Sequence, residues 1–192
     1  MSKSPIEEYV EKRDTIWHEE PHYKGLFDTI NELHKETDRG VTLVTTSFLD
    51  TLLGDTLAAF LLENASARAL LSGFNAPLSS LNTKIAACHA LGLITDEEFH
   101  QCNIFRKVRN EFAHQVQVSF ESGRVKDLCN NLVLAPERAT EQARSKFSRA
   151  SLSLLVVLVN RPTEVTAKRL QCGQWTTAET IRSIRKGTTQ YP

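Results

Sequence analysis

The chain has 192 residues, and its 23 Lys and Arg balance 23 Asp and Glu at a formal net charge of zero. With 41% hydrophobic residues and a mean hydropathy of −0.29, it reads as one globular domain, long enough to bury a core without disulfides or a structural metal. Membrane-spanning, collagen-like and wholly disordered classes are excluded, and neutrality argues against a surface given over entirely to nucleic acid, because phosphate affinity comes from clustered cations.

The first residues carry neither the basic and apolar regions of a secretory signal nor the acid-poor composition of a transit peptide, so a cytoplasmic protein with no membrane contact is expected. Charge is uneven along the chain: 6 basic and 10 acidic side chains over residues 1–39, 11 of each over 40–160, and 6 against 2 over 161–192. Three parts follow, an acidic N-terminal helical arm (1–39), a helical core domain (40–160) and a basic C-terminal extension (161–192). In the arm, Ile6, Tyr9, Val10, Ile16 and Trp17 precede a break at Pro21, and Leu26, Phe27, Ile30 and Leu33 resume helical spacing after it.

From Gly40 to about Glu63 apolar residues recur at steps of three and four, including Val41, Leu49, Leu52, Leu53 and Leu57, as on a long buried helix. A short helix over 65–71 ends at Gly73, and Pro77 opens the next, which carries Leu81, Ile85, Cys88 and Leu91 before Gly92 stops it. Thr95 and Glu98 form a capping box for a helix running to about His114, with Cys102, Ile104 or Phe105, Val108 and Phe112 inward. Val116, Val118 and Phe120 alternate with polar residues and read as a short strand or hairpin arm over 115–124. A last long helix is expected from Glu137 to Asn160, polar first and apolar later, ended by Pro162. The fold class is all-α, a single bundle of about five to seven helices.

Cys88, Cys102, Cys129 and Cys172 form no CxxC pair and read as idle thiols in a reducing compartment. Glycine-rich phosphate loops, a serine nucleophile elbow and paired catalytic carboxylates are absent, so neither a cofactor nor a metal is expected. The chemically dense stretch is Ile104–His114, where Arg106, Arg109, Asn110 and His114 crowd one helix. A guanidinium beside an imidazole is the minimum equipment for metal-independent RNA cleavage. The plainer reading ties the arginines to carboxylates such as Asp50 or Glu98 on neighbouring elements and sets His114 on the free carbonyls of a helix end. In the extension, Lys168, Arg169, Arg182, Arg185 and Lys186, with Trp175, can meet nucleic-acid phosphates or complement the acidic arm.

The run Pro77-Leu-x-x-Leu-x-x-Lys-Ile-Ala-Ala-x-x-Ala-Leu-Gly-Leu-Ile-Thr-x-x-Glu-Phe, the Arg-rich helix ending Ala113-His114 and the preceding Phe48-Leu-Asp-x-Leu-Leu together resemble the mannitol operon repressor family. The resemblance spans about residues 40–160 and implies an all-helical transcriptional regulator without a helix-turn-helix, acting through protein partners and as a homodimer. Arg109-Asn110-x-x-x-His114 also resembles the Arg-x4-His signature of the HEPN superfamily, many of whose members are toxin or defence ribonucleases. That second resemblance implies a catalytic Arg109 and His114 assisted by Asn110, with RNA as the substrate.

Overall fold

A computed structural model of the chain describes residues 36–133 and 142–173, together with Lys24, Asp28 and Arg182. Six helices are defined among them: α1 (Asp38–Phe60), α2 (Ala65–Leu71), α3 (Leu81–Ala90), α4 (Asp96–His114), α5 (Gly123–Asn130) and α6 (Ala143–Thr166). The described residues contain no strand, and the all-α bundle is as expected. α1 packs along α6 and against α3 and α4, α5 sits on α6 and α4, and α2 touches only α1 among the helices. The reading of the N-terminal arm lies outside the described residues apart from helical Lys24 and Asp28.

Hydrophobic spacing places the core. Leu49, Leu53 and Leu57 of α1, Ile85 and Cys88 of α3, and Leu154, Leu155 and Leu158 of α6 close on the inner face of α4, where Cys102, Phe105, Val108 and Phe112 are buried. Both Ile104 and Phe105 turn inward, so the two alternatives at that position are both used. Phe105 meets Phe147 edge-on at 5.0 Å, Phe147 meets Phe120 at 5.1 Å, and Phe120 meets Phe112 at 5.2 Å. Tilted aromatic pairs of this kind add about 0.5–1.5 kcal/mol each beyond their area.

Helix ends follow local chemistry. Thr95 Oγ1 accepts from the Glu98 N–H at 3.2 Å while Glu98 Oε2 accepts from the Thr95 N–H at 2.8 Å, completing the capping box. α3 closes with Gly92 at φ +67°, its N–H bonded to His89 O and that of Leu93 to Cys88 O, the paired bonds of a left-handed glycine cap.

Four expectations need correction. Pro77 lies in the loop, and α3 begins only at Leu81, because Ser80 supplies the cap by accepting from the Thr83 N–H at 3.2 Å. Residues 115–122 form no strand: Val116 is 92% exposed and no described strand stands ready to pair, while Phe120 is drawn into the aromatic cluster. Arg39 Nη2 holds this segment through the carbonyls of Gln115 and Val116, and Asp38 Oδ2 accepts from the Phe120 N–H. The helix α5 that follows has no counterpart in the sequence reading. Pro162 does not end α6, which continues to Thr166 because tertiary contacts outweigh one missing N–H: Arg161 is anchored on both sides and Val165 is buried. The apolar part of α6 is also not wholly buried, since Leu152, Val156 and Val157 face outward. α6 begins at Ala143, and residues 134–141, which include the expected start at Glu137, lie outside the described residues.

Candidate functional site

Three elements meet beside the outer face of α4 and border an open cavity of about 630 Å³. α1 contributes Thr46, Ser47, Asp50 and Thr51, which a period of four brings to one face. The loop before α3 and that helix's first turn contribute Ser79, Ser80, Leu81 and Asn82. α4 contributes Arg106, Arg109 and Asn110. Leu81 is the one apolar residue of the lining, and the walls combine hydroxyls, amides and charges with the aliphatic parts of those side chains.

The carboxylates that could have neutralised these arginines are engaged elsewhere. Asp50 Oδ2 bonds the buried Lys84 Nζ at 2.7 Å. Glu98 takes Arg161, with Nη2 to Oε1 at 2.7 Å and Nη1 to Oε2 at 3.3 Å, while Arg161 Nη1 also donates to Leu93 O at 2.6 Å. Glu111 receives Arg124 at 2.7 Å. Among the described residues Arg106 has only Asn103 Oδ1 at 3.4 Å and Arg109 only Asn110 Oδ1 at 3.5 Å, both at the limit of a hydrogen bond. The structure thus brings Arg109 and Asn110 together at the cavity and adds Arg106.

His114 is elsewhere. It is exposed at the last residue of α4 and does not line the cavity. Because α4 stays helical to that residue, five steps separate Arg109 and His114 by about 140° around the axis and about 7.5 Å along it. In the extension, Lys168 is exposed, Arg169 pairs with Glu63 at 3.2 Å, and Arg182 is helical and exposed. Arg185, Lys186 and Trp175 lie outside the described residues.

Three cysteines are buried and free, and Cys172 is exposed. Burial pushes the Cys88 and Cys129 thiols up to about 12, with Arg161 and Lys84 pulling the other way on Cys88 and Lys146 on Cys129. Cys102 is raised as well, by burial first and then by the nearby Glu98 charge. Burial also raises the Asp55 carboxyl, against the pull of Lys84. His89 bonds Asp96 at 2.7 Å and stacks on Phe99 at 4.1 Å, joining the end of α3 to the start of α4. No group of three or more His, Cys, Asp or Glu among the described residues is arranged to hold a metal ion, and no described helix is long and apolar enough to cross a membrane.

The sequence reading found Arg109 and Asn110 but not the walls facing them. The available signal was the row Thr46, Ser47, Asp50 and Thr51 along one side of α1, opposite a Ser79-Ser80 cap.

Comparison with known proteins rests on shape alone. No family model and no curated protein matches the chain in sequence. A chain in the X-ray structure of the MtlR–HPr complex from Escherichia coli matches with a TM-score of 0.51 and 16% identity, over 73% of this chain and 98% of that one. The fold is MtlR-like. At this identity the likeness extends to the helical architecture, and the MtlR-like bundle spans nearly the whole of its neighbour.

Proposed function

We propose that the chain is a cytoplasmic transcriptional regulator of the mannitol operon repressor kind, which acts by engaging a protein partner and works as a homodimer. The observation that carries this reading is the MtlR-like fold, shared with a protein whose solved structure is a complex with HPr. The proposed partner is the HPr of the organism that encodes the chain. Fold alone does not carry function across families, so the regulatory role rests on this likeness of architecture and on the experiment below.

A second reading is a HEPN-like metal-independent endoribonuclease in which Arg109 would hold the scissile phosphate, His114 would move the proton and Asn110 would orient one of them. Arg109 standing at a polar cavity without a carboxylate partner among the described residues favours it. The angular separation of Arg109 and His114 on an unbroken helix weighs against it within one chain.

Deleting the gene and comparing transcripts separates the two. The regulatory reading predicts altered levels of a defined set of transcripts, restored equally by the wild-type gene and by His114→Ala. Restoration by wild type but not by His114→Ala would reject it in favour of the ribonuclease.

A further inference from the structure

The chemistry of the cavity between α1, α3 and α4 points to a small ligand. Two guanidinium groups, Arg106 and Arg109, face it from α4 with no carboxylate among the described residues on either. The Asp50 carboxylate in the same wall is balanced by Lys84 at 2.7 Å, so among the described residues the cavity keeps the positive charge of both arginines. Across from them, the first turn of α3 opens onto the cavity through Leu81 and Asn82. Ser80 satisfies the N–H groups of Thr83 and Lys84, which leaves those of Leu81 and Asn82 as the free donors that any helix start presents. An anion between a helix start and two planar cationic forks meets donors from both sides.

The rest of the lining narrows the class. Thr46, Ser47, Thr51, Ser79 and Asn110 offer hydroxyl and amide groups, and no aromatic ring among the described residues borders the space. Such walls suit a hydroxyl-bearing body and, among the described residues, offer a nucleobase only the guanidinium planes that a phosphate would occupy. The volume of about 630 Å³ exceeds what a bare phosphate ion fills and lies in the range of small-molecule pockets. We propose that this cavity binds a small, non-aromatic, hydroxyl-bearing phosphate monoester, its phosphate held by Arg106, Arg109 and the start of α3 and its hydroxyls by the α1 face.

Calorimetric titration of the purified full-length chain tests this, with inorganic phosphate, glucose-6-phosphate, glucose and adenosine monophosphate as probes. Glucose-6-phosphate should bind saturably and about ten-fold or more tighter than inorganic phosphate or adenosine monophosphate, and glucose should give no signal. Arg109→Gln, at an exposed position, and Arg106→Gln should each weaken glucose-6-phosphate about ten-fold or more, whereas Lys107→Gln, which removes the same charge from α4 away from the cavity, should change it less than about two-fold. The proposal is overturned by absence of saturable binding up to about 10 mM, by equal affinity for inorganic phosphate and glucose-6-phosphate, or by an equal effect of Lys107→Gln. Binding of single-stranded RNA that depends on Arg109, with no response to glucose-6-phosphate, would also overturn it and assign the site to nucleic acid.

Discussion

Replacing Arg161 by Met tests the connection that lets α6 run past Pro162. The guanidinium makes three contacts at once: a forked pair to Glu98 at 2.7 and 3.3 Å, a bond to Leu93 O at 2.6 Å, and an ion pair to Glu164 at 3.1 Å. Its side chain is 16% exposed and that of Glu98 10%, so the pair with Glu98 is shielded from water, unlike the contact with the exposed Glu164. Met keeps most of the aliphatic volume but leaves the Glu98 carboxyl in a buried place without its cation, with only the Thr95 N–H to receive. Removing one member of a buried pair costs about 3–5 kcal/mol, whereas the exposed Glu164 pair contributes well under about 1 kcal/mol. For a chain of this length a loss of that size lowers Tm by about 6–20 °C. Urea unfolding followed by far-UV circular dichroism reads the change as a lower midpoint at constant slope. The double variant Glu98→Gln/Arg161→Met should lose about 1–3 kcal/mol less than the sum of the single variants, because the two act on one interaction. A loss below about 1 kcal/mol for Arg161→Met, or strict additivity in the double variant, would refute the argument.

Thr95→Ala removes one half of the capping box and should cost about 1 kcal/mol in urea unfolding, with no loss if the cap is unimportant. Pro162→Ala restores an N–H within α6 and should raise stability, by up to about 3 kcal/mol; a lower midpoint would show that the proline's shape is needed there. In the native protein a thiol reagent at neutral pH should label Cys172 alone, since Cys88, Cys102 and Cys129 are buried with raised thiol pKa values, and rapid labelling of more than one cysteine would contradict that burial. Raised folded-state values mean that the native state holds protons the unfolded chain has released. Stability should therefore be intact below about pH 9 and fall as pH rises towards about 12, by about 1.4 kcal/mol per unit for each thiol, a slope that should flatten in a variant with all three buried cysteines replaced by Ala.

What the sequence conveyed was local and periodic. The stripe through α1, the box at Thr95 and Glu98 and the stop at Gly92 each depend on residues within a turn or two, and each is found where expected. What it misled on depended on distant partners. The alternation from Val116 to Phe120 reads as a strand until Asp38, Arg39 and the Phe112–Phe147 cluster are seen to hold that segment. Pro162 reads as a stop until Glu98 is seen to grip the residue before it. The same holds for the cavity: Arg106 and Arg109 are visible on α4, but their lack of carboxylate partners among the described residues follows from Lys84 taking Asp50 and Arg161 taking Glu98, pairings across 34 and 63 residues of chain.

The most direct measurement for the proposed function is titration of the full-length chain with purified HPr from the same organism, followed by calorimetry and by size-exclusion chromatography at physiological salt. A regulator of the mannitol repressor kind should form a saturable complex of fixed stoichiometry, and His114→Ala should bind as wild type does. Absence of a complex, together with chelator-resistant RNA cleavage that His114→Ala abolishes, would contradict the regulatory account and establish the ribonuclease in its place.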